Sequence, residues 1–408
     1  MFSVRSEKKE SVNSREKIVL EADNKFAFKI NKLFLVLISC LIVFLFLIAG
    51  ELTLRFIHRV KNVDRLYFST FSSLEEQDFV TKQYENIKYS YKPFLLWASD
   101  PNQDNGVVST NSLGYRGNDW GEKQAGTFRI IILGGSSVWG QGATADDKTI
   151  IGYLEKELNN KLAEKKINLV ANKIEVLNLG QPGYVSTQEL LMWKEISAYQ
   201  PDLVIHYGGF NDLYAGFIYK VGSNLPGINE NALTKKKLGA AWSLIEEEVK
   251  NRLNKSELLG FFRYHLQKSN LNKAENILEQ GNVAIDSAKK YEESVDYINA
   301  IASKTKTPVL FVFQPTIFWG NKSFSTEEIR IKERFVGVFP GAEKYFSSAY
   351  DYLLKSKLFL DKTIIDGTDF YNEFSEDIYI DHIHTSDKGY EIVAKKLTPM
   401  VIKAIEKL

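Results

Sequence analysis

The sequence is short of cysteine, of histidine and of net charge. One cysteine in 408 residues excludes a disulfide scaffold and any zinc or iron–sulfur site built from thiolates. Of the five histidines, only His382 and His384 lie close together in sequence, which leaves little for an imidazole metal site. With 52 Lys and Arg against 51 Asp and Glu, the formal charge is +1, and no basic footprint for nucleic acid exists. There is no Gly-Lys-Ser/Thr ending of a phosphate-binding loop, and no internal repeat. A disordered chain is excluded as well, because 44% of residues are hydrophobic and 13% aromatic.

The hydrophobic residues are unevenly spread. Leu33 to Gly50 is a run of 18 residues without a charge, and apolar positions continue at Leu52, Leu54, Phe56 and Ile57. A helix crosses a bilayer with about 20 mostly apolar residues. Residues 33–57 are therefore expected to form a single transmembrane anchor, after a polar tail over 1–32. Leu37-Ile38-Ser39-Cys40 has the form of a lipobox, but the apolar run continues beyond Cys40, where a cleaved lipoprotein signal would turn polar. Cys40 reads as an ordinary membrane residue. Lys25, Lys29 and Lys32 before the span nearly balance Arg55, Arg59, Lys61 and Arg65 after it, so flanking charge does not set the orientation. Residues 58–126 read as an aromatic-bearing strap that leads into the next domain, with no chemistry of its own.

From residue 127 to 408 the pattern changes. Short β-branched runs (128–133, 174–179, 203–207, 308–313 and a weaker one within 358–365) alternate with helical stretches at 150–162, 187–199, 291–303 and 388–407. This alternation predicts an α/β fold, a three-layer α/β/α sandwich with about five parallel strands and helices on both faces. A polar, helix-rich insertion over 213–287 follows the third strand, with candidate helices at 240–253 and 256–265. Its position fits a lid over the site or a surface insertion equally well. Ligands of such sheets bind beyond the carboxyl ends of the strands, which directs attention to the residues there.

Those residues form four blocks. Gly134-Gly135-Ser136-Ser137 follows the first strand, Gly180-Gln181-Pro182-Gly183 the second and Gly209-Phe210-Asn211-Asp212 the third. Asp381-His382-Ile383-His384 precedes the last helix. Taken singly, each reads as a cap, a turn or a local contact. Together they hold what acyl transfer requires. Ser136 is a candidate nucleophile that needs a base. His384 can be that base, and Asp381 can hold its imidazole in one tautomer. The backbone N–H groups of Ser136 and Gly183 and the Asn211 side chain are candidate donors to an oxyanion. Ser137 is the rival nucleophile. The elbow Gly-x-Ser-x-Gly fails because Val138 stands where its second glycine belongs. Gly140-Gln141-Gly142 with Ala145 fits a loose dinucleotide pattern but lies too far after the strand. Trp139, Tyr184, Phe210, Phe318 and Trp319 could line a pocket or fill the core.

In this order, the four blocks resemble the SGNH (GDSL-type) hydrolases. The named residues of that superfamily match Ser136, Gly183, Asn211 and His384, and Asp381 matches its Asp-x-x-His acid. Asn111-Ser112-Leu113-Gly114-Tyr115-Arg116-Gly117 is similar to a segment ahead of the first block in membrane-anchored bacterial members. The departure is Gly135, where the best-known members carry Asp. The resemblance covers about residues 90–405 and decides for Ser136 over Ser137. It implies a flavodoxin-like SGNH fold and an extracytoplasmic serine esterase that acts without a cofactor or metal. Expected substrates are small-molecule, lipid or carbohydrate esters, such as O-acetyl groups on envelope polysaccharide. Two alternatives stand beside this reading. One is an O-acyltransferase using the same triad, which would acylate an added sugar acceptor while hydrolysing slowly. The other is a non-catalytic envelope assembly protein, which would not react with a fluorophosphonate. The sequence does not indicate an oligomeric state.

Overall fold

The computed structural model describes residues 34–35, 37–53, 73–219 and 277–408. The chain divides into two units, one made of Met1–Asn62 with Ala240–Gln267, the other of Val63–Gly239 with Lys268–Leu408. In the first unit, residues 37–53 are helical, and large apolar side chains such as Leu41, Phe44 and Phe46 are exposed. The rest of the 33–57 span lies outside the described residues, and no helix among the described residues is long and apolar enough to cross a membrane. Most of the 213–287 insertion, including both of its candidate helices, also lies outside them.

The second unit is built on a five-stranded parallel sheet. Its strands are β3 (Thr127–Gly134), β4 (Lys173–Gly180), β5 (Leu203–Gly208), β6 (Val309–Phe313) and β7 (Ile364–Asp366), in the order β4-β3-β5-β6-β7. Ahead of them lies an antiparallel pair, β1 (Tyr89–Ser90) and β2 (Ala98–Ser99). The register places Gly134 opposite both Gly180 and Tyr207, so the carboxyl ends of β4, β3 and β5 lie level. Strand order reverses beside β3, the position where such sheets bind ligands.

Period-two alternation explains the layers. Ile130 and Ile132 join one apolar cluster, Ile131 and Leu133 the other, and all four are fully buried. Each such side chain stabilises the fold by roughly 1.5–3 kcal/mol. The helices, in chain order, are α1 (Leu74–Asn86), α2 (Ser136–Trp139), α3 (Ile150–Ala163), α4 (Ser186–Ile196), α5 (Phe210–Tyr219), α6 (Ile277–Thr305), α7 (Thr326–Val338), α8 (Ala342–Leu353), α9 (Lys357–Leu360) and α10 (Asp387–Ile405). α3 and α10 supply Leu154, Leu158, Val393 and Leu397 to the cluster of Ile130. α4, α6 and α8 supply Trp193, Tyr291 and Phe346 to the cluster of Ile131. The Thr149 side chain caps α3 by accepting from Gly152 N, and Ser325 with Glu328 forms a capping box on α7.

The weaker strand expected within 358–365 begins at Ile364 and runs to Asp366, and the apolar residues before it form the helical turn α9. Leu360, on that turn, is exposed. A short apolar run does not by itself distinguish strand from helix. The helix expected over 291–303 lies in the C-terminal half of the longer α6.

Candidate active site

Three strand ends and one C-terminal loop meet above the sheet. β3 ends at Gly134, and Gly135 caps the single-turn helix α2, which carries Ser136 at its first position. The Asp381–His384 loop is a tight turn. Ile380 N donates to His384 O at 2.9 Å, and Ser386 N to Ile378 O at 2.9 Å. The buried carboxylate of Glu328 fixes the entry to this loop, accepting from Ile378 N (2.9 Å) and Tyr379 N (3.1 Å) while paired with Lys322.

His384 Nε2 lies 2.7 Å from Ser136 Oγ, and His384 Nδ1 lies 2.6 Å from Asp381 Oδ2. An imidazole nitrogen at that distance can take the serine proton, provided the other nitrogen carries its hydrogen toward the carboxylate. Asp381 Oδ1 accepts from Ile383 N (2.8 Å) and His384 N (2.7 Å). Burial pushes the Asp381 carboxyl up, but the charge on His384 and these hydrogen bonds outweigh it and hold the group well below the usual carboxylate range. Asp381 therefore stays ionised beside His384. Ser137 Oγ points elsewhere and accepts from Gln314 at 3.3 Å.

The expected oxyanion donors lie on the neighbouring loops. Gln181 to Tyr184 is a turn closed by Tyr184 N donating to Gln181 O at 3.2 Å, with Gly183 at φ +78°. Pro182 followed by a left-handed glycine is the type II pattern. Neither Ser136 N nor Gly183 N donates a hydrogen bond to an acceptor among the described residues. Asn211 lies in the first turn of α5, and its Nδ2 donates to Tyr184 O at 2.8 Å, leaving the second amide hydrogen for a ligand. The next residue, Asp212, is buried and accepts from Ser186 N and Ser186 Oγ, which ties the second block to the third.

Gly135, the departure from the Gly-Asp-Ser pattern, has a local cause. A Cβ at Gly135 would stand 2.3 Å from Asn211 Nδ2, so the amide occupies the space a side chain would need.

The region upstream of residue 127 holds more than sequence reasoning found. Tyr84 of α1 places its hydroxyl 2.9 Å from Asp381 Oδ2 and 2.9 Å from His384 Nδ1. A lone tyrosine in a polar helix, far from every block, gives no signal in the sequence. Trp97 Nε1 donates to Pro182 O at 3.0 Å, and its ring stands beside Gly183. The Arg116 side chain is anchored on Gly140 O, Ala143 O and Asp146, and stacks over Trp139 at 4.9 Å, bracing the chain that follows α2. Trp139, Tyr184, Phe210, Phe318 and Trp319 are buried. His382 lies against Phe335, Phe210 and Tyr214, and burial pulls its imidazole down to about 4.

A serine hydroxyl on an imidazole that rests on a buried carboxylate, at the carboxyl end of a parallel sheet, defines a serine hydrolase. Residues 130–397 match the family GDSL-like Lipase/Acylhydrolase, and the chain belongs to that family, an SGNH-type hydrolase acting on ester bonds. Among solved structures, it is similar to the acetyl xylan esterase AlAXEase, at 14% identity over 67% of this chain and 100% of that chain, with TM-score 0.38. A carbohydrate acetylesterase family member from Sinorhizobium meliloti gives 12% identity over 69% and 100%, with TM-score 0.37. A catalytic mutant of an acetylxylan esterase from Geobacillus stearothermophilus gives 13% over 67% and 94%, with TM-score 0.34. No curated protein matches the chain.

Proposed function

We propose that the protein is a membrane-anchored serine esterase that removes short acyl groups, O-acetyl above all, through an acyl-serine intermediate. The observation that carries this reading is the continuous contact Ser136–His384–Asp381, at 2.7 and 2.6 Å. Ser136 Oγ attacks the ester carbonyl as its proton passes to His384 Nε2. Ser136 N, Gly183 N and Asn211 Nδ2 receive the oxyanion. Collapse expels the alcohol, which takes the proton from His384 and leaves an acyl-serine. His384 then deprotonates water, which attacks the acyl carbon, and the acid departs as Ser136 regains its proton. Trp97, placed beside Gly183, restricts the acyl side of this centre and favours small groups. The anchor is residues 33–57, supported by the uncharged run in the sequence and by the exposed apolar side chains of the helix over 37–53. The catalytic unit faces the extracytoplasmic side, where polysaccharide and lipid esters are found.

The test uses the full chain in detergent. A fluorophosphonate should label wild type and not Ser136→Ala, and turnover of p-nitrophenyl esters should fall as the acyl chain lengthens from acetyl. Undiminished labelling of Ser136→Ala would place the nucleophile elsewhere, and faster turnover of long acyl chains would overturn the short-chain assignment.

A further inference from the structure

We infer that Tyr84, from a helix outside the family-matched span 130–397, is a positioning residue for the Asp381–His384 pair and tunes the basicity of His384. The inference rests on the proposed role of His384 as the base. Its own grounds are geometric. The Tyr84 hydroxyl, Asp381 Oδ2 and His384 Nδ1 form a triangle with sides of 2.9, 2.9 and 2.6 Å. The 2.6 Å side takes the Nδ1 hydrogen, so Tyr84 acts on the pair chiefly through the proton it donates to the carboxylate. Asp381 then receives four donors, two backbone N–H groups on Oδ1 and His384 with Tyr84 on Oδ2. The Tyr84 ring meets the imidazole edge-on, with centroids 5.7 Å apart and planes at 86°, which opposes rotation of His384 about its Cβ–Cγ bond.

The helix that carries Tyr84 is fixed in place. Ser73 caps its start by accepting from Glu76 N at 3.1 Å. Gln83, fully buried beside Tyr84, accepts from Gly142 N at 3.0 Å and donates to Ala143 O and Val107 O, both at 3.3 Å. α1 is thus pinned to the chain that follows the Ser136 helix, and the same contact sets both the nucleophile's loop and the hydroxyl that faces the base. Val80, on the same helix, packs with Ile380, the residue before Asp381.

The electrostatic consequence has a sign. A donor on Oδ2 draws negative charge away from His384, so the carboxylate supports the imidazolium less than it would alone. Without the hydroxyl, the carboxylate's negative charge acts undiminished on the imidazole and favours its cationic form. Among the described residues, the other ionisable groups that sense Asp381 are His382 on the same loop and Tyr390 on α10, and Tyr84→Phe leaves both side chains in place.

The test is Tyr84→Phe in the full chain, which retains the ring and removes one oxygen. The readout is the second-order rate of fluorophosphonate labelling across pH 5 to 9, beside kcat and KM for p-nitrophenyl acetate. Labelling and kcat should fall roughly 10- to 100-fold on the pH plateau, KM should hold, and the acid limb should move to higher pH. The limb is read within each protein, so a change in folded fraction does not shift it. An unmoved limb, whether or not the plateau falls, would make Tyr84 a packing residue and overturn the inference. Ser136→Ala run in parallel separates the two readings. If it labels normally, the site assignment fails. If it is silent while Tyr84→Phe matches wild type, only the role of Tyr84 fails.

Discussion

Replacing Gly135 by alanine tests the packing of the site against a single atom. The added Cβ would stand 2.3 Å from Asn211 Nδ2 and 3.5 Å from Tyr184 O. Ordinary contact begins at 3.4 Å, so the amide must retreat by about 1 Å. Gly135 has a negative φ of −83°, so the left-handed backbone that disfavours alanine is not involved. Asn211 cannot retreat freely, since its amide is bound to Tyr184 O at 2.8 Å and its backbone is in the first turn of α5. The proposed oxyanion donor is therefore misplaced while nucleophile and base remain. Loss of one such donor costs roughly 10²–10³ in kcat, or about 2.7–4 kcal/mol of transition-state stabilisation. Gly135→Ala should lose that much kcat on p-nitrophenyl acetate with KM little changed, and Gly135→Asp at least as much. Asn211→Ala should lose a similar amount. The double variant Gly135→Ala/Asn211→Ala should be no worse than Asn211→Ala, because both act through one amide. The reasoning is refuted if Gly135→Ala keeps kcat within threefold of wild type, or if its loss adds in full to that of Asn211→Ala.

Two further substitutions probe the buried carboxylates. In Asp381→Asn, an amide N–H replaces Oδ2 opposite His384 Nδ1 and imposes the tautomer with hydrogen on Nε2, which cannot accept from Ser136. kcat should fall by about 10⁴ with the thermal midpoint nearly kept, and a loss below tenfold would mean that His384 is oriented without Asp381. Burial, with the charge of Glu189 adding to it, pushes Asp212 up to about 7 against the hydrogen bonds from Ser186. The unfolded carboxyl titrates near 4, so the folded state holds the extra proton between those values, and stability falls as pH rises through that window, then levels off. Asp212→Asn lacks this titration. Its stability relative to wild type should increase between pH 4.5 and 8 in urea unfolding, and a difference independent of pH would refute the assignment.

What the sequence determined was local. Apolar runs ending in glycine located β3, β4 and β5, because a strand buried on both faces requires continuous β-branched residues and a tight exit. Caps such as Thr149 and Ser325 act on their own helices over three or four residues. The four blocks at strand ends were legible for the same reason, since each is a short segment whose chemistry lies in adjacent residues. Tertiary structure decided what depends on distant residues meeting. The order β4-β3-β5-β6-β7 levels Gly134, Gly180 and Tyr207, and no run of residues encodes that level. The division of 357–366 between helical turn and strand depended on which side chains found cover in the core. Gly135 departs from the motif at a place where Asn211, far along the chain, occupies the space a side chain would need. Tyr84 is the clearest case. A hydroxyl acts on a carboxylate only within hydrogen-bond reach, and folding alone brings residue 84 to residue 381.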